Sequence, residues 1–140
     1  MMPPLAVPVG STGTISLTVA NEHTAAQVGS GLVRVLATPV MINLIEAAAL
    51  RACEALLPAG HQSLGTRINV SHIAATPVGM KVTATAEVVS VTGRHIVMKV
   101  GAHDERELIG EGTHERVVVN VARFDTRLQE KITMVATRVK

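Results

Sequence analysis

Apolar positions recur in this chain with two spacings, and the change from one to the other orders its elements. Over residues 14–19, Thr-Ile-Ser-Leu-Thr-Val alternates with period two and predicts a strand. Residues 20–37 are mixed, with Gly29 and Gly31, and predict a loop or a short turn of helix. Thr38-Pro39 then reads as a helix start, with Thr38 as N-cap and Pro39 at the first helical position. The helix should run to about Leu57, where Pro58 and Gly60 stop it. Its polar side is thin, only Asn43, Ala47, Arg51 and Glu54, so it must be covered on most sides.

After a loop holding Ser63-Leu64-Gly65-Thr66, four strands are expected with no helix between them. They are Arg67–Ala74, Met80–Val91, His95–His103 and Leu108–Val121, broken at Thr76-Pro77-Val78-Gly79, Thr92-Gly93-Arg94 and Asp104-Glu105-Arg106. Lys81, Thr83, Thr85 and Glu87 alternate with Val82, Ala84, Ala86 and Val88, the mark of an antiparallel sheet wetted on one face. Apolar residues at 124, 128, 132, 135 and 139 fit a last amphipathic helix, its alternative being a strand through Ile132–Val139. Strand, buried helix, then long antiparallel strands describe an α+β fold in which a sheet wraps a helix. With no internal repeat or dividing linker, residues 1–140 are expected to form one domain.

Composition narrows the function classes. Apolar residues make up 47% of the 140, yet aromatics make up 1%, with Phe124 the only ring of its class. The base-stacking platforms of nucleic-acid binders need exposed aromatics, so no nucleic-acid partner is expected. A net charge of +2 without a long Lys/Arg block adds no partner of its own. Cys53 is the only cysteine, which excludes an intrachain disulfide and a thiolate metal cluster. Met1-Met2-Pro3-Pro4-Leu5 lacks the basic start and apolar run of a secretory signal. Asn43, Glu46 and Arg51 interrupt the longest apolar run, so no membrane span is expected and a cytoplasmic location is the default. The high apolar fraction at this size, with an open sheet edge, points to burial against a second subunit.

Candidate chemistry begins at Glu46, inside the most apolar helical run. It lies roughly 95° from the centre of the polar stripe at about 100° per residue. Either it is a border carboxylate whose head reaches water, or it is partly buried and serves as a base or nucleophile. His72 shares one face of its strand with Ile68 and Val70. An inward histidine is either a satisfied structural residue or a proton carrier. A buried carboxylate and imidazole are costly unless they bond to each other, to water or to substrate. The other histidines, His23, His61, His95, His103 and His114, form no HxxxH or HExxH pair, so no metal site is expected. Thr38 has a sufficient structural role as helix cap. Gly110-Glu111-Gly112 precedes no helix and reads as a strand with a bulge. No Gly-x-Ser-x-Gly elbow and no P-loop is present.

Ala37-Thr38 through Glu46, Ser63-Leu64-Gly65-Thr66, Val70-Ser71-His72-Ile73-Ala74-Ala75-Thr76-Pro77-Val78-Gly79 and Gly110-Glu111-Gly112-Thr113-His114-Glu115-Arg116 together resemble the fluoroacetyl-CoA thioesterase group of the hotdog-fold superfamily. The likeness runs from about residue 30 to 125, in order and with close spacing. It implies a long helix wrapped by an antiparallel sheet, and a homodimer whose sheets join edge to edge. It also implies acyl-CoA thioester hydrolysis without a cofactor. Its threonine, glutamate and histidine fall on Thr38, Glu46 and His72, and the residues holding the acyl group fall on Gly65 and Arg116. Glu46 would attack or activate water, His72 would shuttle the proton, and a backbone N–H near Gly65 would meet the oxyanion. In an ideal helix Thr38 and Glu46 stand about 12 Å apart, so one site needs a folded-back chain, a bridging water or the partner subunit to hold both.

One departure is visible. The fluoroacetyl-specific member carries lid aromatics before the helix, whereas Ala25–Leu36 has none. The resemblance therefore carries the hydrolase but not that narrow substrate. Two rivals share the fold. A non-catalytic protein binding acyl-CoA or a small apolar ligand would not need the polar triad. An enoyl-CoA hydratase would place an Asp beside a His, and no Asp occurs between residues 1 and 103.

Overall fold

A computed structural model describes residues 3–138; Met1 and Met2 of the stretch read as lacking a secretory signal, and Val139 of the expected apolar stripe, lie outside them. The order is β1 (Thr12–Thr18), α1 (Ala25–Val28), α2 (Thr38–Cys53), β2 (His61–His72), β3 (Lys81–Thr92), β4 (His95–His103), β5 (Leu108–Asn120) and α3 (Val121–Arg138). The strands form one antiparallel sheet in the order β1-β3-β4-β5-β2, and α2 lies in its concave face. This is the expected α+β arrangement of a helix wrapped by a sheet.

The core follows the two spacings of the sequence. From α2, Met41, Leu44, Ile45, Ala48, Ala49, Ala52 and Cys53 are buried. They meet Val82, Ala84, Ala86 and Val88 of β3 and Ile96, Met98 and Val100 of β4. Truncating such a residue, as in Ile45→Ala, costs about 2–5 kcal/mol. Small residues set how closely the layers approach. A Cβ on Gly13 would clash with the α2 backbone at Ala48 and stand 2.6 Å from Ala52 N, so β1 can lie against the helix only with glycine there.

Several expectations are corrected. Ala37, not Thr38, is the N-cap of α2, with extended backbone and no side-chain cap; Thr38 opens the helix and Pro39 follows. Pro39 has no N–H to satisfy, which lessens the need for a cap and frees the Thr38 hydroxyl. The helix ends at Cys53 and tightens into a 3₁₀ turn, Glu54–Leu56, before Pro58. Ser63–Thr66 is not a loop: β2 starts at His61 and passes through it with a register shift between Gly65 and Arg67. Gly110 and Gly112 sit in regular register opposite His72 and Val70 of β2, while on the β4 side the ladder passes from Ala102↔Gly110 to His103↔Leu108, so the expected irregularity falls at Ile109, beside Gly110. The tail is helical from Val121, which removes the strand alternative. No described residue of α3 is buried.

Candidate active site

The five expected site residues sort into two groups along the seam between α2 and β2, the outer strand of the sheet. At the N-terminus of α2, Thr38 Oγ1 lies 2.7 Å from His72 Nδ1 at the end of β2. His72 Nε2 is buried and has no hydrogen-bond partner among the described residues. Burial holds the imidazole below its ordinary 6.5, against an opposing pull from the backbone at Ala74. A neutral ring with one nitrogen anchored and the other open can take up a proton. The pair lines a cavity of about 370 Å³ with Leu32, Val33, Leu36 and Ile73. Leu32 and Val33 are strongly exposed aliphatics of the loop before α2.

Two helical turns further on, Glu46 meets Gly65 and Arg116. Glu46 Oε2 is 3.5 Å from Arg116 Nη1, and its side chain is 42% exposed. That distance exceeds the roughly 2.8 Å of a tight charge-assisted bond, so the guanidinium orients the carboxylate without consuming its lone pairs. Gly65 presses on the same oxygen: a Cβ there would collide with Glu46 Oε2 and stand 3.0 Å from His114 Cε1. Beside it the register passes from Gly65↔Arg116 to Arg67↔Glu115, leaving Thr66 without a ladder partner. Bulges of this kind re-aim backbone groups. Gly65, Thr66, Ile42, Ile68 and Glu46 enclose about 230 Å³.

Arg116 is almost fully buried and its donors are satisfied internally. Nε donates to Ser63 Oγ at 2.8 Å, Nη2 to the Ser63 carbonyl at 3.0 Å, and Nη1 to His114 Nε2 at 3.1 Å. His114 Nδ1–H donates to the Arg67 carbonyl at 2.8 Å, so Nε2 is left to accept and the ring is neutral. Glu54 completes the set, accepting from Ser63 Oγ at 2.6 Å. A buried cation is kept only with such full pairing.

The structure thus brings Thr38 to His72, and Gly65 and Arg116 to Glu46, but the two groups lie in separate cavities of one chain. The imidazole beside Glu46 is His114, at 3.9 Å. Sequence reasoning passed over His114, Ser63 and Glu54. Period-two alternation does place His114, Arg116 and Val118 on one face of β5, and all three are buried.

The family model of fluoroacetyl-CoA-specific thioesterases matches residues 19–122. The chain belongs to that family. The fluoroacetyl-CoA thioesterase of Streptantibioticus cattleyicolor is 47% identical over 97 residues, 69% of this chain and 70% of the relative. A solved variant of a fluoroacetyl-CoA-specific thioesterase, in complex with fluoroacetate and CoA, is 41% identical with TM-score 0.78, covering 84% of this chain and 98% of that one. A Thermus thermophilus hypothetical protein of the thioesterase superfamily is 28% identical with TM-score 0.84, covering 95% of this chain and 99% of that one. As a member, this thioesterase is a thioester hydrolase of the hotdog fold.

Proposed function

We propose that two copies of this single-domain chain form a cytoplasmic homodimer that hydrolyses a small acyl-CoA at sites shared across the sheet edge. The observation that carries this reading is the separation of Thr38–His72 from Glu46–Gly65–Arg116 within each chain. Each group alone lacks half of what acyl transfer needs. The free edge of β2 supports the assembly: residues 64–69 are all exposed, Leu64 and Ile68 among them. A bare strand edge with apolar side chains favours pairing with another strand. A twofold axis near Ile68 would set the His72 end of one β2 beside the Gly65 end of the other.

The chemistry then runs on geometry already described. Thr38 Oγ1 accepts from His72 Nδ1–H, which leaves the Nε2 lone pair free to take a proton from water. Glu46 of the other copy attacks the thioester carbonyl itself, forming an anhydride that water opens, or aligns the water that attacks. The oxyanion accepts from backbone N–H at the Gly65–Thr66 bulge, where no side chain intrudes. The tetrahedral carbon expels the CoA thiolate. Where water attacks, the proton that His72 took from it goes to that sulfur. Where Glu46 attacks, the thiolate leaves first and is protonated afterwards by the proton His72 takes from the water that opens the anhydride. Arg116 orients Glu46 rather than gripping the acyl group. The two small cavities suit a short acyl chain, and fluoroacetate with CoA in the solved relative supports an acyl-CoA substrate. The buried, unpaired Cys53 accords with a reducing compartment.

The test is free-thiol release over acetyl-, fluoroacetyl-, phenylacetyl- and medium-chain acyl-CoA. Wild type should turn over a short acyl-CoA, and Glu46→Ala and His72→Ala should each be inactive with the fold intact. Full turnover by both variants would remove the site; ligand binding without turnover would favour the binding-protein rival. After a single turnover in ¹⁸O-water, label on Glu46 would establish an anhydride opened at the Glu46 carbonyl, whereas label in the product acid alone is common to both routes.

A further inference from the structure

Three arginines and the only aromatic residue converge at a place that the hydrolytic site does not use. Arg94 in the β3–β4 turn, Arg123 and Arg127 of α3, and Phe124 line a cavity of about 290 Å³ with His61 and Asn120. Among the described residues, no carboxylate lines it. None of the three guanidiniums has an ion-pair or hydrogen-bond partner among the described residues. Like charges gathered without counter-charge oppose one another, and an anion bound among them relieves the repulsion. Arg123 and Arg127 stand one helical turn apart on the same face, about 6 Å.

The frame around them is fixed. Val118 N–H donates to the Arg94 carbonyl at 2.8 Å, and Val121 N–H to the Gly60 carbonyl at 2.9 Å. Arg123 N–H donates to Asn120 Oδ1 at 3.1 Å, which sets the first turn of α3. His61 Nδ1–H donates to the Ala59 carbonyl at 2.9 Å, leaving Nε2 as the unengaged nitrogen. Phe124 is half exposed, so its ring offers a face to a planar ligand. Fork-shaped guanidiniums beside an aromatic face match phosphates joined to a purine.

Position completes the match. His61 is four residues before Gly65 on β2, about 13 Å at roughly 3.3 Å per residue. A pantetheine arm separates the thioester of an acyl-CoA from its nucleotide by at least that length. Resting on the acyl-CoA reading above, we propose that the Arg94–Arg123–Arg127 cavity binds the phosphorylated adenosine end of the CoA substrate, with Phe124 against the purine. A folded carrier protein would need a broad contact surface rather than one small cavity with an aromatic wall.

The test compares kcat/KM for an acyl-CoA with that for the same acyl group on pantetheine, which has no nucleotide. Changing Arg94, Arg123 and Arg127 together to Gln should lower the CoA-to-pantetheine ratio at least tenfold, chiefly through KM for the CoA ester. An unchanged ratio overturns the proposal, and so does a loss seen only with acyl-carrier protein. If wild type hydrolyses neither thioester, the functional reading fails, and the cavity is then judged by titration with adenosine 3′,5′-bisphosphate. Saturable binding weakened at least tenfold by the triple variant, and weakened by Phe124→Leu, supports the site. No binding, or binding indifferent to the substitutions, refutes it.

Discussion

The two ends of the α2–β2 seam are built on opposite principles. Around Glu46 every neighbour is spoken for: Arg116 is shared among Ser63, His114 and the carboxylate, and Glu54 holds Ser63 in turn. Around His72 there is one hydrogen bond, a buried nitrogen without a partner, and an exposed aliphatic loop. A charge at a seam must be fixed by a network to keep its direction. A ring that trades protons must instead keep one atom free, at some cost in stability. On the proposed mechanism, this difference fits Glu46 as the anchored half and His72 as the mobile-proton half.

The largest effect should come from removing either reacting group. Glu46→Gln and His72→Ala should each lower kcat/KM by about 10²–10⁴-fold in the thiol-release assay, with unchanged circular dichroism. Near-normal rates in either would erase the division of labour. Next, Gly65→Ala drives a methyl into Glu46 Oε2. We expect kcat to fall on the order of 10²-fold, as misplaced reacting groups do, with little change in thermal midpoint. A fall in stability alone, with kcat intact, would mean that Gly65 serves only the packing.

Ser63→Ala probes the network by itself. It strips a partner from the buried Arg116 and from Glu54, and should cost about 1–3 kcal/mol in urea unfolding. Activity should fall less than with Gly65→Ala. The His72 end predicts a pH effect instead. Burial lowers its folded pKa, so on acidification the unfolded chain takes the proton first. Stability from this group is thus full above about 6.5 and declines as pH falls through the lower folded value. The acid limb of kcat/KM should lie below 6.5 for the same reason, and a limb above it would contradict a desolvated His72. Thr38→Val, the mildest change, should cost about tenfold in kcat by releasing Nδ1.

Much of this was legible in the sequence, for physical reasons that differ by region. β3 announces itself because Val82, Ala84, Ala86 and Val88 face the core while Lys81 and Glu87 face water. α2 was legible as buried because its polar stripe is too thin for a surface helix. β2 was misjudged at Ser63–Thr66 because this stretch serves an exposed edge and a close approach to Glu46, so no alternation marks it as strand. Thr38 looked like a cap because Thr before Pro usually is one; only the folded chain shows its hydroxyl turned to His72. His114 stands in the segment that carries the resemblance and shares its parity with Arg116, but its place beside Glu46 depends on β2 arriving next to β5, which no local pattern shows.

The most direct measurement mixes the two inactive chains. Glu46→Ala and His72→Ala proteins are co-refolded or exchanged, and thiol release is followed. Sites shared between copies predict that each mixed dimer regains one intact site, restoring about a quarter of wild-type activity at statistical pairing. Activity in the mixture no greater than the sum of its two components would contradict a site assembled from both chains.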